Sequence, residues 1–488
     1  MPLLFTCKLI PLPLLILCLL SSCCISMSKK ERTKNFRPTP SLKESREIAL
    51  QTPAFKEGNW PTRQWWEQYD SKELTCLIEM ALKNNPSILA VREKINFAQN
   101  ESIIARSALF PLIYFDTSDQ WQYLSQTGLF RNLNPNIPLN SSQIDFSLSF
   151  TYEFDFWYKY RNLYNAALGR QKAAIAESAQ VDLITSIALA QSYFALRTNF
   201  VRKRLYQELY DIRLNYFKLQ ERLLKNALYS KLTPLLSEEA VFQAQQLLFA
   251  INQELDVNKH IINILVGRGP DTPLCPEEAL PVLPLQMALP KKISSDLLSR
   301  RPDLMAQIWR VDALAYDVGA AKAEFWPDIN ITALIGFQSL SWQKLFQWIN
   351  NTVGATPGLS LPLYTAGMIG ANVDAKKASY NEAVFQYNDL ILKSLQQVAD
   401  LLSIGRAIYG EKERQSQIVA NSTSRYNLTL LRKKKGIDSA LIAYQFQEEL
   451  IQKKLEDVEL LYQQYIVSVS LIKALGGGYL CAGGSLHG

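Results

Sequence analysis

The chain has 488 residues, of which 48% are hydrophobic and 20% charged, as in an ordinary ordered protein. Its net charge of +7 is modest, and its basic residues are scattered or paired with acids, which excludes nucleic acid as a main partner. With two histidines, no Cys-x-x-Cys pair, no nucleophile motif and no glycine-rich phosphate loop, the sequence predicts neither an enzyme nor a metal site, and no cofactor.

The first 22 residues have the pattern of a secretory signal peptide. Lys8 supplies the positive charge, residues 9–20 form the apolar run, and small residues precede Cys23. The Leu-Ser-Ser-Cys tetrapeptide that ends at Cys23 resembles the bacterial lipobox, which predicts cleavage before this cysteine and attachment of acyl chains such as palmitate to it. The alternative is an ordinary signal peptide that ends near cysteines. Residues 23–61, rich in Lys, Arg, Ser and Pro, are interpreted as a lipidated polar tether.

The rest of the chain contains an internal repeat. Two segments, residues 86–111 and 302–327, begin and end with proline at the same spacing, and each leads into a strand-like pattern. The first repeat covers residues 62–267 and the second covers residues 291–478. A proline-rich linker, residues 268–290, joins them, and residues 479–488 are expected to form an unstructured tail. Each copy is predicted to contain a helix, two strands, a long helix, a turn and a shorter helix.

Alternation of apolar and polar residues predicts the strands. From Ile144 to Phe156 every even position is apolar or aromatic and every odd position is polar, which is typical of a strand with one apolar and one polar face. Strands are expected at about residues 112–124, 143–157, 328–338 and 353–364. Aromatic residues that flank them either form a girdle at the lipid interface or are simply packed in the fold; they are Trp121, Tyr123, Phe130, Trp342, Phe346 and Trp348.

Past Trp157 the period becomes helical. No proline interrupts residues 157–225 or 366–435, so each repeat can contain one helix of about 65 to 70 residues, roughly 100 Å long. Heptad seams are formed by Leu205, Leu209, Ile212, Tyr216, Leu219 and Leu223, and by Ile451, Leu455, Val458, Tyr462, Tyr465 and Val469. Asn226 and Gly436 are placed at the helix-to-helix turns, because Asn and Gly best tolerate a left-handed backbone.

Four strands cannot close a barrel, and open sheet edges are not tolerated in hydrocarbon. Several copies of the chain are therefore expected to close one membrane β-barrel. The predicted fold is a mixture of α-helix and membrane β-structure, in which this barrel is continuous with a long α-helical coiled-coil barrel. Such an assembly is a conduit.

The segments ARSALFP, YEFDFWYKYRN, AAKAEFWPDI, GLSLPLYTAGMIGANVDAKKASYNEAV and KALGGGY, in this order, make the chain resemble a known family. It is similar to the TolC-like outer-membrane efflux proteins, in the lipoprotein branch of OprM and NodT, over about residues 65–480. The resemblance implies a homotrimer with a twelve-stranded barrel in the outer membrane of a Gram-negative-type cell and a helical tunnel across the periplasm. It also implies a periplasmic membrane-fusion adaptor and an inner-membrane pump of the RND class, whose energy drives multidrug export through this passive gated duct.

The same family closes its periplasmic end near the helix turns, and several members place aspartates there. At the two corresponding positions this chain has Ile442 and Gln445, so the expected constriction is partly apolar. The nearest charges are Asp438, Lys433, Lys434 and Lys435. A ring of charge formed by symmetry-related copies and a set of helix-end charges on the outer rim are both open interpretations.

The turns themselves are the expected contact for the adaptor. This hypothesis includes Asn226 and Gly436 with the neighbouring Leu224 and Leu228; the alternative is that these residues only reverse the helices.

Two alternatives to small-molecule efflux remain. A duct for type I protein secretion shares the fold and differs in its pump, which the neighbouring genes would distinguish. A lipid-anchored periplasmic coiled-coil scaffold would have no use for the two-faced strand at Ile144–Phe156.

Overall fold

The computed structural model describes residues 36–226, 231–274, 280–284 and 286–480, with the exception of the side chains of residues 130, 131, 294 and 295. The predicted signal peptide, Cys23 and most of the predicted tail therefore lie outside the described residues. The chain divides into two compact units. One consists of Gln99–Arg170 and Val311–Glu382, and the other of Phe36–Ala98, Gln171–Arg310 and the segment from Ala383 onward. Each unit thus takes segments from both sequence repeats.

The regular elements follow the predicted order in both repeats. The helices are α1 Lys43–Leu50, α2 Lys72–Asn84, α3 Pro86–Ser107, α4 Leu129–Leu133, α5 Lys159–Lys225, α6 Leu232–Val266, α7 Ile293–Arg300, α8 Pro302–Ala323, α9 Met368–Lys434 and α10 Ala440–Ala474. The strands are β1 Phe55–Glu57, β2 Leu112–Tyr123, β3 Asn140–Phe154, β4 Met287–Leu289, β5 Asp328–Ser339 and β6 Asn351–Ser360. Short 3₁₀ helices cover Trp65–Tyr69, Trp342–Lys344 and Trp348–Asn350.

A four-stranded antiparallel sheet dominates the first unit. Its strand order is β2-β3-β5-β6, so the two strands of each repeat are neighbours and β3 joins the repeats through β5. The register sorts the side chains by polarity. One row across all four strands is Phe115, Leu148, Ile335 and Val353, and the next row, on the opposite face, is Asp116, Ser147, Gly336 and Thr352. Since successive strand residues point to opposite faces, one face of the sheet is apolar and the other polar.

Strand β3 ends earlier than the alternation predicted. The pattern continues to Phe156, but the strand ends at Phe154 and helix α5 begins at Lys159. The carboxylate of Asp155 accepts hydrogen bonds from the backbone N–H groups of Tyr160 (3.0 Å) and Arg161 (2.9 Å). These donors have no partner within the helix, so Asp155 favours the start of α5 over continuation of the strand.

The helices have the lengths that the absence of proline allowed. Helices α5 and α9 have 67 residues each, about 100 Å, and α6 and α10 have 35 residues each, about 52 Å. Residues of the first heptad seam, Leu205, Leu209 and Ile212, are buried against Ile451 and Val458 of the second seam. The long helix of the first repeat therefore packs against the last helix of the second repeat.

The predicted tether and linker contain regular structure that their composition did not indicate. Within residues 43–57 the chain forms α1 and β1, and β1 pairs in parallel with β4 of the predicted linker, Phe55 lying opposite Met287. Phe55, Met287 and Leu289 are buried in a core with residues of α9 and α10. The interpretation of these stretches as irregular is wrong. Composition did not reveal the two apolar segments, because each is only a few residues long and lies among many polar residues.

An aromatic cluster fixes the 3₁₀ helix Trp65–Tyr69 in the second unit. The ring of Tyr69 lies 4.9 Å from that of Phe194 in α5, which stacks at 4.5 Å on Tyr465 of α10. The hydroxyl groups of Tyr69 and Ser468 are hydrogen-bonded at 2.7 Å. Burial raises the pKa of Tyr69 far above the usual range of a phenol, so this bond is made by neutral groups.

Candidate functional site at the helix turns

The two helix turns lie at the same end of the helices of the second unit. The rings of Tyr216, near the end of α5, and Tyr444, near the start of α10, are 6.4 Å apart and perpendicular. The turn after α5 and the turn before α10 are therefore neighbours. We refer to the segments around Asn226 and Gly436 as the first turn and the second turn.

The second turn reverses the chain through a glycine. Gly436 has φ +72°, in the left-handed region. Its N–H donates to the carbonyl of Lys433 (3.0 Å), and the N–H of Ile437 donates to that of Arg432 (3.0 Å). This pair of bonds is a Schellman motif, which occupies carbonyl groups that the end of α9 would leave without partners. Ser439 then caps α10 through a bond from the N–H of Ile442 to its Oγ.

Asp438 is bound within its own turn. The guanidinium of Arg432 donates from Nε to Asp438 Oδ2 (2.7 Å) and from Nη2 to Oδ1 (3.0 Å). This bidentate pair lowers the pKa of Asp438, with the hydrogen bond from Arg432 as the main cause. It also offsets the charge of the only acid among the residues predicted for the constriction. The geometry favours the role of a helix-end charge for Asp438.

The remaining candidates at the second turn face solvent in the described chain. Lys433, Lys434 and Lys435 are exposed, as are Ile442 and Gln445. The Lys433 ammonium lies 5.8 Å from the centre of the Tyr444 ring. Three lysines without a described carboxylate partner and one satisfied ion pair make this turn electropositive.

The first turn is described only in part. The N–H of Asn226 donates to the carbonyl of Arg222 (3.2 Å) and closes the last turn of α5. Leu224 is half-buried, whereas Leu228 lies outside the described residues. At the start of α6, Leu232, Leu235 and Leu236 are 65%, 62% and 59% exposed. Sequence reasoning missed these three leucines, although their spacing is that of one helix face.

Arg213 joins three helices beside the turns. Its Nε and Nη2 donate to Glu448 Oε1 of α10 (3.0 and 2.7 Å), and its Nη1 donates to the carbonyl of Ala240 in α6 (2.9 Å). The helical hairpin of the first repeat is thereby tied to that of the second. No sequence pattern marked Arg213, because its partners are 27 and 235 residues away.

The flanking aromatic residues of the strands are strongly exposed in the described chain. Trp121, Trp342 and Trp348 are 67%, 58% and 79% exposed, and Phe346 is 64% exposed although its ring lies 5.2 Å from that of Phe146. The side chain of Phe130 lies outside the described part. Within the described ranges, no group of three or more His, Cys, Asp or Glu residues is placed to hold a metal ion.

The sheet has one polar and one apolar face, and the two helix hairpins reverse side by side, which is the arrangement that the sequence predicted for a duplicated, channel-forming protein. A family model described as "Outer membrane efflux protein" matches residues 77–265 and 293–477. The chain belongs to this family and is an outer-membrane efflux channel.

Relatives and solved structures agree with this assignment. The putative multidrug resistance outer membrane protein MdtQ of Shigella flexneri is 27% identical over 439 residues, which cover 89% of this chain and 91% of MdtQ. The multidrug resistance outer membrane protein MdtP of Escherichia coli K12 is 24% identical over 453 residues, which cover 91% of this chain and 92% of MdtP.

Among solved structures, the outer membrane protein VceC of Vibrio cholerae is 27% identical with a TM-score of 0.77, covering 86% of this chain and 100% of VceC. The CmeC outer membrane channel of Campylobacter jejuni has a TM-score of 0.84 at 19% identity, with coverage of 94% and 96%. These matches confirm the predicted family, the TolC-like fold and the outer-membrane location.

Proposed function

We propose that three copies of this chain form a gated duct through which an inner-membrane pump expels small toxic molecules. The observation that carries this proposal is the sheet. One face is apolar across four strands, and strands β2 and β6 each have one described partner strand. Unpaired backbone groups are costly in hydrocarbon, so the two edges must meet edges of other copies.

The number of copies in this proposal is taken from the resemblance to the TolC-like family. Three four-stranded sheets make a twelve-stranded barrel, and the polar face, which includes Asp116, Ser147 and Thr352, lines its water-filled interior. The apolar face contacts lipid, with Trp121, Trp342 and Trp348 in the aromatic girdle. The helices of the three copies form the coiled-coil tunnel in the periplasm. A periplasmic scaffold would have no need of this sheet, whose apolar row Phe115, Leu148, Ile335 and Val353 has no polar interruption.

The cargo is inferred from the relatives. MdtP and MdtQ are named for multidrug resistance, which favours small molecules over secreted proteins as the exported class. The duct has no energy source of its own, so a pump, of the RND class in our proposal, and a periplasmic adaptor complete the system. The adaptor contact is placed at the first and second turns, where Leu232, Leu235 and Leu236 add an exposed apolar surface to the predicted Leu224, Leu228, Asn226 and Gly436.

The gate is placed at the same end. Ile442 and Gln445 line the constriction, and Lys433 to Lys435 make it electropositive, because Arg432 offsets Asp438. Opening requires the first and second hairpins to separate, and Arg213 with Glu448 opposes this movement. Cys23 carries the lipid anchor; a mature chain whose mass equals the unmodified polypeptide would contradict this part.

Single-channel recording with native electrophoresis tests the proposal. We expect a trimer that gives small, mostly closed currents in planar bilayers, since the adaptor and pump are missing. A monomer that never conducts would contradict the barrel. To separate efflux from protein secretion, the chain is expressed with an RND pump and adaptor in a drug-sensitive host lacking its own duct. Restored drug resistance is expected. If this pair restores no resistance, but the chain exports a type I substrate protein when it is expressed with an ABC exporter, protein secretion is favoured.

A further inference from the structure

Positive charge is concentrated at the first and second turns. In the sequence, residues 222–237 contain no Asp or Glu, and residues 428–445 contain one acid, Asp438. The same two segments contain seven basic residues, which are Arg222, Lys225, Lys231, Arg432, Lys433, Lys434 and Lys435. Since the two turns are neighbours, their charges act on the same space around the ends of the helices.

The structure leaves three lysines of the second turn without an acid to balance them. Arg432 binds both carboxylate oxygens of Asp438. The next two acids along α10, Glu448 and Glu449, are each paired with an arginine. Lys433 to Lys435 have no described carboxylate partner, and they are exposed, so a ligand in solution can reach their ammonium groups.

The end of α9 explains only part of this charge. Cations are favourable near the C-terminus of a helix, where carbonyl groups lack partners within the helix. The backbone hydrogen bonds around Gly436 already occupy two of these carbonyl groups. Three adjacent lysines therefore exceed what this helix end requires.

Assembly multiplies the charge of the second turn. In the three-copy duct, the second turns of all copies meet at the constriction, so each copy adds its own Lys433 to Lys435 to one ring. Like charges that are brought together repel one another, which is unfavourable where little salt screens them. An anion with several charges, placed between the three turns, replaces this repulsion with attraction. A monovalent anion carries too little charge to contact all three turns in this way.

We propose that the second turns of three copies together bind one compact polyvalent anion, of the polyphosphate class, through Lys433, Lys434 and Lys435. The site rests on the three-copy duct of the proposed function and adds a ligand to it. Because the anion connects the three turns, it opposes their separation and holds the duct closed.

Isothermal titration calorimetry of inorganic tripolyphosphate into the purified full-length protein, in a non-ionic detergent, tests the site. We expect saturable binding of one tripolyphosphate per three chains, and binding of inorganic monophosphate that is about tenfold weaker or less. Raising the salt from about 0.1 M to about 1 M shortens the screening length from about 10 Å to about 3 Å and should weaken binding by about tenfold or more. One tripolyphosphate per chain would place the lysines on separate outer rims and overturn the proposal. Equal binding of monophosphate, as in a lipid head group, would overturn it too.

Substitutions at the second turn have opposite expected signs. Lys434→Gln removes one charge per chain and should weaken tripolyphosphate binding about tenfold. Arg432→Gln should also weaken it, because the charge of Asp438 is then uncompensated, whereas Asp438→Asn leaves the charge of Arg432 uncompensated and should strengthen binding. The control is Lys376→Gln, at an exposed position of the same helix, which should bind as the wild type does. Unchanged binding by Lys434→Gln, or effects of the same sign from the Arg432 and Asp438 variants, would contradict the site.

Recording in planar bilayers connects binding to the duct. Tripolyphosphate should lower the open probability of the wild type when it is added to one chamber and have little effect from the other, since the turns are at one end of the duct. Equal effects from both chambers would contradict a site at the turns. A chain that stays monomeric and never conducts contradicts the proposed function itself. A conducting trimer that binds no tripolyphosphate contradicts this inference alone.

Discussion

Replacement of Arg213 by methionine should favour the open state of the duct. The guanidinium makes three hydrogen bonds, two to Glu448 and one to the carbonyl of Ala240, and its side chain is 14% exposed against 31% for Glu448. Methionine retains much of the apolar length of the side chain but removes all three donors.

The magnitude follows from the geometry. A hydrogen bond to a charged group contributes about 1.5–3 kcal/mol when buried, and the partial exposure of Glu448 reduces this, so we expect a loss of about 2 kcal/mol per chain. If the bonds exist only in the closed state, the ratio of closed to open chains falls roughly 30-fold. Substitution of both partners, Arg213→Met with Glu448→Gln, should give less than the sum of the single effects, with a coupling of about 1–2 kcal/mol.

The open probability in planar bilayers measures the effect. Arg425→Met is the matched control, because Arg425 pairs with Glu449 within the single hairpin of α9 and α10 and its side chain is 45% exposed. We expect little change in the control. An Arg213 variant that remains as closed as the wild type, or additive single and double substitutions, would refute the idea that this contact holds the two hairpins together.

Three further predictions concern the turns and the sheet. Gly436→Ala should destabilise the second turn by about 1–2 kcal/mol through backbone strain alone, since an added Cβ would meet no atom within 4 Å; an unchanged thermal midpoint would contradict the left-handed conformation. Leu148→Arg should prevent membrane assembly, at a cost of about 2–4 kcal/mol near the bilayer centre, whereas the neighbouring Ser147→Arg should still form trimers; heat-modifiable electrophoresis separates the two outcomes. The lowered pKa of Asp438 means that its bond with Arg432 stabilises the turn above the ordinary pKa of 3.8 and ceases to do so as the pH falls through the lowered pKa. Thermal midpoints of the wild type and Asp438→Asn should therefore differ at neutral pH and converge in acid, and a difference that grows in acid would contradict the assignment.

The sequence predicted the elements whose signals are local and long. The alternation around Leu148 placed a two-faced strand, and the structure has β3 there with its end shifted by the capping side chain of Asp155. Absence of proline allowed the two long helices, and the residue type at Gly436 indicated the turn. Such features depend on periodicity and on backbone conformation within a few residues, so the sequence alone contains the information.

Contacts between distant segments were decided only by the tertiary structure. The segment whose composition indicated a tether contains Phe55, which is buried beside Met287, more than 200 residues further along the chain. The sequence placed Asp438 among the charges nearest the expected constriction, but only the structure shows that Arg432 binds its carboxylate. The bonds of Arg213 to Glu448 and Ala240 likewise depend on which helices meet. The periodicity of the sequence determines whether a segment forms a helix or a strand. The pairing of charges between distant segments is decided only when the helices and strands pack together.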